Sequence, residues 1–231
     1  IATDGDADRL GIIDDRGEFL HPNKILVLLY YYLLKYKGWR GAAVRNLATT
    51  HLLDAIAQRF GEQCHEVPVG FKHISAKMLE TSAIIGGESS GDLTVRGHIQ
   101  GKDGIYAASL LVEMISTTGR SLSELYGEIT GQCGSFEMVE RGYRFSLEEK
   151  ARISRTLMED RLLPDFGLEI GKVSYADGCK VYFQDGGWVV SRFSGTEPLL
   201  RVFCEMDTAQ RAADIAGRME SFLALEGRNI E

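Results

Sequence analysis

Residues 42–85 read AAVRNLATTHLLDAIAQRFGEQCHEVPVGFKHISAKMLETSAII, and this run decides the fold. Ala42–Leu47 is a short strand-like segment. Thr50–Phe60 carries helical apolar spacing and stops at Gly61, a residue suited to a left-handed helix end. Cys64–Val69 is strand-like again, Phe71–Leu79 is helical, and Ala83–Ile85 is a third short strand. Strands separated by helices of this length predict a sheet covered by helices.

The pattern extends in both directions. Upstream, Ile1-Ala2-Thr3 and Leu10–Ile13 read as strands around an acidic loop, and Asp14-Asp15-Arg16-Gly17 as a turn before Glu18-Phe19-Leu20. A helix follows from Pro22-Asn23 to Lys37, stopped by Gly38. Its run Ile25–Leu34 is wholly apolar or aromatic between Lys24 and Lys35. That is too short for a membrane span, which takes about 20 residues, so it predicts a buried helix. Downstream, Lys102–Ser116 completes the first set of elements.

After about residue 130 the pattern changes. Phe136–Phe145 is strand-like, and Ser146-Leu147-Glu148-Glu149 has the form of a capping box that opens a helix. Val173–Tyr175, Cys179–Gln184, Trp188–Phe193 and Leu199–Cys204 then follow in quick succession. A helix over Thr208–Leu225 ends the region, with Ile215, Met219 and Phe222 on one face. This predicts an antiparallel α+β unit.

The chain has 231 residues, 44% hydrophobic and 26% charged, enough for more than one core. A net charge of -7 speaks against nucleic acid and against anionic membrane surfaces, which are bound through an excess of Lys and Arg. Cys64, Cys133, Cys179 and Cys204 form no CxxC pair, which predicts reduced thiols and a cytoplasmic protein.

Four groups of residues are candidates for chemistry. Asp4, Asp6 and Asp8 alternate with Gly5 and Ala7, small enough for the loop to curl, and such carboxylates converge on a hard divalent cation. An EF-hand is excluded, because Arg9 and Asp15 stand where that loop needs Gly and Glu. Magnesium is expected, since three carboxylates leave coordination positions for a phosphate oxygen, and Arg9 suits the same phosphate. The bland alternative is a solvated acidic turn.

Ser191-Arg192-Phe193-Ser194-Gly195-Thr196-Glu197-Pro198 lies between two strands and gathers a guanidinium, hydroxyls and backbone amides, the equipment of a phosphate cradle. Arg201 adds charge, and Glu197 must point away or orient Arg192. An ordinary hairpin turn with a surface arginine competes with this reading. In the middle of the chain, Val69-Gly70-Phe71-Lys72-His73 and Ile85-Gly86-Gly87-Glu88-Ser89-Ser90-Gly91 stand at strand ends, where open α/β sheets bind ligands. Glu88 and Ser90 suit vicinal sugar hydroxyls, against the alternative of a capped turn. Gly101-Lys102-Asp103-Gly104 is only a near miss to a phosphate-binding P-loop and is rejected as one.

Together, in chain order, the acidic loop, the Gly87-Glu88-Ser89-Ser90-Gly91 loop and the Arg192-Phe193-Ser194-Gly195-Thr196 loop resemble the α-D-phosphohexomutases, a family of phosphoglucomutases, phosphomannomutases and phosphoglucosamine mutases. The resemblance implies that Asp4, Asp6 and Asp8 ligate Mg2+ beside Arg9. It implies that Glu88 and Ser90 hold sugar hydroxyls, and that Arg192, Ser194, Gly195, Thr196 and Arg201 hold the phosphate that is not transferred. Lys72 and His73 become the cationic stretch that enters the catalytic site. The implied reaction interconverts hexose 1-phosphate and hexose 6-phosphate through a phosphoserine and a hexose bisphosphate. Glucose is the expected sugar, from the Val95-Arg96-Gly97-His98 segment, with mannose or glucosamine as alternatives. A non-catalytic module for sugar phosphate or divalent cation is the rival from another class.

By the same resemblance, residues 1–19 end a second domain and residues 20–130 form a third, α/β domain with a mixed sheet. Residues 131–231 form a last domain like the TATA-binding protein. The family's phosphoserine loop has no counterpart in these residues, and the chain opens abruptly on a strand at Ile1 without Met. The expectation is a piece of a longer enzyme whose N-terminal domains are its partners, inactive alone but with residual affinity for sugar phosphate.

Overall fold

The computed structural model describes residues 1–195 and 197–230, in two compact units, Ile1–Ser135 and Phe136–Glu231. In the first unit, β1 (Ala2–Thr3), β2 (Leu10–Ile13) and β3 (Phe19–Leu20) form a small antiparallel sheet. Helix α1 (Pro22–Lys35) follows. The strand and helix alternation then gives β4 (Ala43–Asn46), α2 (Leu52–Phe60), β5 (Cys64–Val67), α3 (Phe71–Thr81) and β6 (Ile85–Gly87). Next come β7 (Leu93–Val95), α4 (Gly104–Thr118) and α5 (Leu122–Cys133). The sheet order is β5-β4-β6-β7, with β4 parallel to β5 and β6, and β7 antiparallel. This is the expected mixed sheet with helices. No helix among the described residues is long and apolar enough to cross a membrane.

Helix α1 is buried from Ile25 to Leu34, as a helix apolar on all sides must be. Its three consecutive tyrosines project about 100° apart, so each phenol needs its own partner in a different direction. Tyr30 Oη donates to the Gly41 carbonyl at 3.2 Å, Tyr31 Oη to Glu128 at 2.6 Å and Tyr32 Oη to Glu113 at 2.7 Å. The helix ends two residues before the expected Lys37. Lys37 N donates to Tyr32 O and Trp39 N to Leu33 O, and these wider bonds close off the last turn.

Two elements lie outside the expected set. Strand β7 spans three residues, too few to show alternation. Helix α5 buries only Leu122, Leu125 and Ile129 and holds Gly127 and Gly131. It is opened by a capping box between Ser121 and Glu124, a signal that the apolar pattern hides.

Glu128 of α5 receives Lys35, Tyr31 and Arg120. Burial alone would raise its carboxyl, but these three donors outweigh burial and hold it at about 2, below the ordinary 4.5. A depressed carboxyl contributes stability that is complete above the unfolded value and is lost as pH falls through the folded one. Glu128→Gln is therefore expected to cost about 2 kcal/mol at pH 7, with the gap to the parent closing between pH 4.5 and 2. Urea unfolding across that range measures it; a gap independent of pH contradicts it.

The second unit pairs β8 (Glu137–Arg144), β12 (Leu199–Met206), β11 (Trp188–Phe193), β10 (Cys179–Phe183) and β9 (Ile170–Ser174) in that spatial order, all antiparallel. Helix α6 (Leu147–Ser154) runs into a π-helical turn at Arg155–Glu159, and α7 (Ala209–Phe222) comes after β12. The capping box at Ser146 and Glu149 is formed. Alternate residues of the sheet, among them Val181, Val189, Val202 and Cys204, share one core with Ile215 and Met219 of α7. This is the expected helix-flanked antiparallel meander.

Candidate functional site

In the first unit, β4, β5 and β6 run parallel, so their C-terminal ends lie at one edge. Asn46 ends β4, Gly70 precedes α3 after β5, and Glu88 follows β6. The three converge on one oxygen: Glu88 Oε1 accepts Asn46 Nδ2 at 2.8 Å and the Gly70 amide at 2.8 Å. Glu88 is buried, and among the described residues its Oε2 has no hydrogen-bond partner. The other Asn46 atom, Oδ1, accepts Ala48 N and Thr49 Oγ1, and Thr49 Oγ1 in turn accepts Ser89 N at 3.1 Å. The Glu88 loop is thus anchored at several points, not merely capped.

The loop closes on Asp92, whose carbonyl accepts Glu88 N at 2.8 Å. Ser90 Oγ donates to Asp92 Oδ2 at 2.9 Å. With its proton committed, the Ser90 hydroxyl offers lone pairs, as Glu88 Oε2 does. The loop presents acceptors and suits a ligand that donates, as sugar hydroxyls do.

The acidic loop joins β1 to β2. Asp4, Asp6 and Asp8 bring one carboxylate oxygen each to within 4.8 Å of the others. The curl comes from Ala7, at φ 57° with its amide bonded to Asp4 O at 3.1 Å. Gly5 keeps an ordinary φ with open space at its Cβ position, so the expected contribution of Gly5 is not needed. Arg9 donates from its amide to Asp4 Oδ1 at 3.2 Å and from Nε to Asp4 Oδ2 at 2.6 Å, and lies 3.6 Å from Asp8. Partial desolvation pushes the Asp4 carboxyl up, but these bonds from Arg9 prevail and hold it below its ordinary value.

The whole loop rests on the start of α4. The Gly104 amide donates to Ala7 O at 3.0 Å, and a Cβ on Gly104 would lie 2.7 Å from the Arg9 carbonyl oxygen. Only glycine allows that approach. It also brings Lys102 to the loop. The Lys102 ammonium is paired with Asp8 and lies 3.3 Å from Asp92 Oδ1. The hydrogen bond to Asp8 raises its pKa.

Lys72 and His73 occupy the first turn of α3, Lys72 exposed and His73 partly so. They reach the same edge as Glu88 through Gly70. In the segment Val95-Arg96-Gly97-His98, Arg96 lies over the Trp39 ring at 5.5 Å, and His98 Nε2 lies 2.8 Å from Asp103 while its ring stacks on Tyr106.

In the second unit, Arg192 of β11 and Arg201 of β12 are direct cross-strand partners. Like charges so placed repel, and each has its own carboxylate. Arg192 Nε is 3.3 Å from Asp177, and Arg201 is 2.6 Å from Glu140 and 3.5 Å from Glu197. Glu197 therefore balances Arg201. Gly178, at φ 87°, presses on Arg192: a Cβ there would sit 2.5 Å from Ser191 O and 2.6 Å from Arg192 Cβ. Ser194 N donates to Leu199 O at 2.8 Å, and Glu197 N to Ser194 Oγ at 3.3 Å, which shapes the turn around Gly195. Ser191 is buried, away from this turn. Thr196 lies outside the described residues.

Sequence reasoning overlooked Asn46, Asp92, Lys102 and Asp177. Lys102 left one trace, as the lysine of a rejected P-loop. Asp92 left another, as an acid directly after a Gly-Glu-Ser-Ser-Gly turn.

Residues 21–132 match the family model for phosphoglucomutase/phosphomannomutase alpha/beta/alpha domain III, and residues 146–221 match that for the phosphoglucomutase/phosphomannomutase C-terminal domain. A phosphoglucomutase/phosphomannomutase of Thermococcus kodakarensis is 31% identical over 93% of this chain and 44% of its own length. A phosphoglucosamine mutase of Rubrobacter xylanophilus is 33% identical over 98% of this chain and 47% of its own. A crystal structure from Thermus thermophilus, of a protein assigned as a phosphomannomutase, superposes with a TM-score of 0.78 at 31% identity, covering 96% of this chain and 45% of that one. The chain spans about half the length of these relatives.

Proposed function

This chain belongs to the phosphoglucomutase/phosphomannomutase family, and from that premise we propose that it carries the cation-, sugar- and phosphate-holding groups of a hexose-phosphate mutase. The observation that carries this reading is one continuous polar edge in the first unit. It runs from the Asp4, Asp6 and Asp8 carboxylates through Lys102 and Asp92 to Ser90 and Glu88. An acidic loop able to seat a divalent cation for a phosphate, coupled to a loop of acceptors for hydroxyls, suits a ligand that is both a polyol and a phosphate.

The reading assigns roles residue by residue. Glu88 Oε2 and Ser90 Oγ accept hydrogen bonds from two neighbouring ring hydroxyls. Lys72 and His73, on the first turn of α3, supply positive charge and proton-transfer capacity near the hydroxyl that is phosphorylated. Arg9 is held against the acidic loop by Asp4 and meets the moving phosphoryl group. Arg192, Ser194, Gly195, Thr196 and Arg201 take the phosphate that stays on the sugar. Asp4, Asp6 and Asp8 fit a divalent cation, because three hard oxygen donors already stand together. Bound there, Mg2+ would supply positive charge that offsets the charge of the transferred phosphoryl group.

In the reaction we assign, a phosphoserine gives its phosphoryl group to the free hydroxyl of a hexose monophosphate. The bisphosphate formed turns around and returns its other phosphoryl group to the serine. That serine belongs to a partner domain outside these residues, and residues 1–19 close such a preceding domain. The third domain is residues 20–130 and the last 131–231. Four free thiols fit a cytoplasmic setting. Glucose phosphates are our first choice of substrate. Mannose and glucosamine phosphates are the alternatives, since relatives bear the names phosphoglucomutase/phosphomannomutase and phosphoglucosamine mutase. A binding module without catalysis is the second reading.

Titration calorimetry of the 231-residue chain with glucose, mannose and glucosamine phosphates, with and without Mg2+, tests the proposal. Binding of at least one of them without turnover in a coupled assay is expected. No binding of any at millimolar concentration sinks the reading, and turnover by this chain alone sinks the assignment of the serine elsewhere. Arg192→Gln is expected to weaken phosphate-dependent binding about tenfold, the loss of one charge-assisted contact. Equal affinity in that variant removes Arg192 from the phosphate site.

A further inference from the structure

The Lys102 ammonium stands between two carboxyls with different duties. Asp8 is one of three acidic groups crowded within 4.8 Å. Asp92 is 8% exposed, and its Oδ1 has no hydrogen bond of its own, while Oδ2 receives Ser90. The backbone fixes this arrangement, because the Gly104 amide clamps the acidic loop to the turn that bears Lys102. Lys102 is held at Asp8 and only 3.3 Å from Asp92, so a small side-chain rotation moves its charge from one to the other.

We propose that Lys102 is a resident counter-ion of the acidic loop, displaced from Asp8 onto Asp92 when a divalent cation binds. The inference rests on the reading of Asp4, Asp6 and Asp8 as a cation seat. The physical reason is competition. A divalent ion bound by Asp8 repels an ammonium on the same carboxylate, and the two cannot share it without loss. A second carboxyl within reach makes the move inexpensive, because Lys102 keeps an ion pair and the buried Asp92 gains a closer one. Lys102 is thus a positioning residue for the cation, and Asp92 is its acceptor. Since Asp92 also holds Ser90, the exchange links cation occupancy to the loop that contacts sugar.

Mn2+ binding to the 231-residue chain, followed by electron paramagnetic resonance, with Mg2+ calorimetry in parallel, tests this through a double-mutant cycle. Lys102→Met removes the competitor and is expected to tighten Mn2+ binding about tenfold. Asp92→Asn strands Lys102 on Asp8 and is expected to weaken Mn2+ binding about threefold, but to have little effect when Lys102 is already Met. Circular dichroism checks folding. The double variant, with no buried charge left unpaired at position 92, and Lys102→Gln serve if Lys102→Met fails to fold. Unchanged or weaker Mn2+ binding without Lys102 overturns the competition. An Asp92→Asn effect of equal size in both backgrounds overturns the transfer. Binding by neither the parent nor the Lys102 variants overturns the cation seat itself, and this inference with it.

Discussion

Glu88→Ala is expected to lower the unfolding free energy of the first unit by about 3 kcal/mol and to abolish binding of hexose phosphates. Its Oε1 is the shared acceptor for the side-chain amide of Asn46 and the main-chain amide of Gly70, both at 2.8 Å. Alanine leaves two donors unpaired at a site 5% exposed, and each such donor costs about 1–3 kcal/mol. The damage reaches the ligand as well as the fold. Gly70 offers no side-chain cap to α3, so Glu88 is what ties the start of that helix, with Lys72 and His73, to the end of β4. Glu88→Gln separates the two roles. Its retained carbonyl oxygen still receives Asn46 and Gly70, while an amide nitrogen replaces the oxygen proposed to accept from the sugar. The glutamine variant should keep most of the stability and still lose sugar-phosphate affinity about tenfold. Urea denaturation and calorimetry of the two variants read this out. An alanine variant as stable as the parent removes Glu88 from its anchoring role, and a glutamine variant with parental affinity removes it from the ligand.

Asp6→Asn should weaken divalent-cation binding about a hundredfold, at the upper end of the scale set by the outer partners of metal sites, while leaving stability within about 0.5 kcal/mol. The two effects separate here because Asp6 is exposed and makes no hydrogen bond or ion pair with the described residues. Its carboxylate instead lies close to those of Asp4 and Asp8, which it repels, so its neutralisation relieves repulsion within the loop. Asp4 cannot give so clean a result, since it also holds the amide and guanidinium of Arg9. Mn2+ resonance measures the affinity and urea unfolding the stability. Parental affinity in Asp6→Asn refutes the three-carboxylate site. A large loss of stability would mean that the loop serves the fold before the cation.

Each motif that was legible in the sequence is contained in a few consecutive residues. The Asp-x-Asp-x-Asp spacing, the Gly-Glu-Ser-Ser-Gly turn, the Ser-Gly-Thr turn and the capping box at Ser146 all act over one loop or one helical turn. The all-apolar run of α1 is legible for the same reason, and so is the α/β alternation of residues 42–85. What escaped depends on distant partners. Asn46 looks like an unremarkable strand residue until β4 and β6 align and bring Glu88 to it. Asp177 is one more turn acid until β10 pairs with β11 and Gly178 lets Arg192 pack against it. Helix α5 escaped because its apolar stripe is only Leu122, Leu125 and Ile129, broken by Gly127 and Gly131, while much of its anchoring comes from tyrosines and lysines of α1.

By itself, then, the sequence determined the class of each unit, the order of its elements apart from β7 and α5, and the candidate loops, because propensity, periodicity and turn type act between near neighbours. Only the tertiary structure decided how those loops are wired. It placed Lys102 against the acidic loop, put Asp92 between that loop and Ser90, and committed one oxygen of Glu88 to Asn46 and Gly70. Charge pairing and hydrogen bonding act through space, and the residues they join come together only when the parallel strands end at a common edge and α4 docks on the loop between β1 and β2.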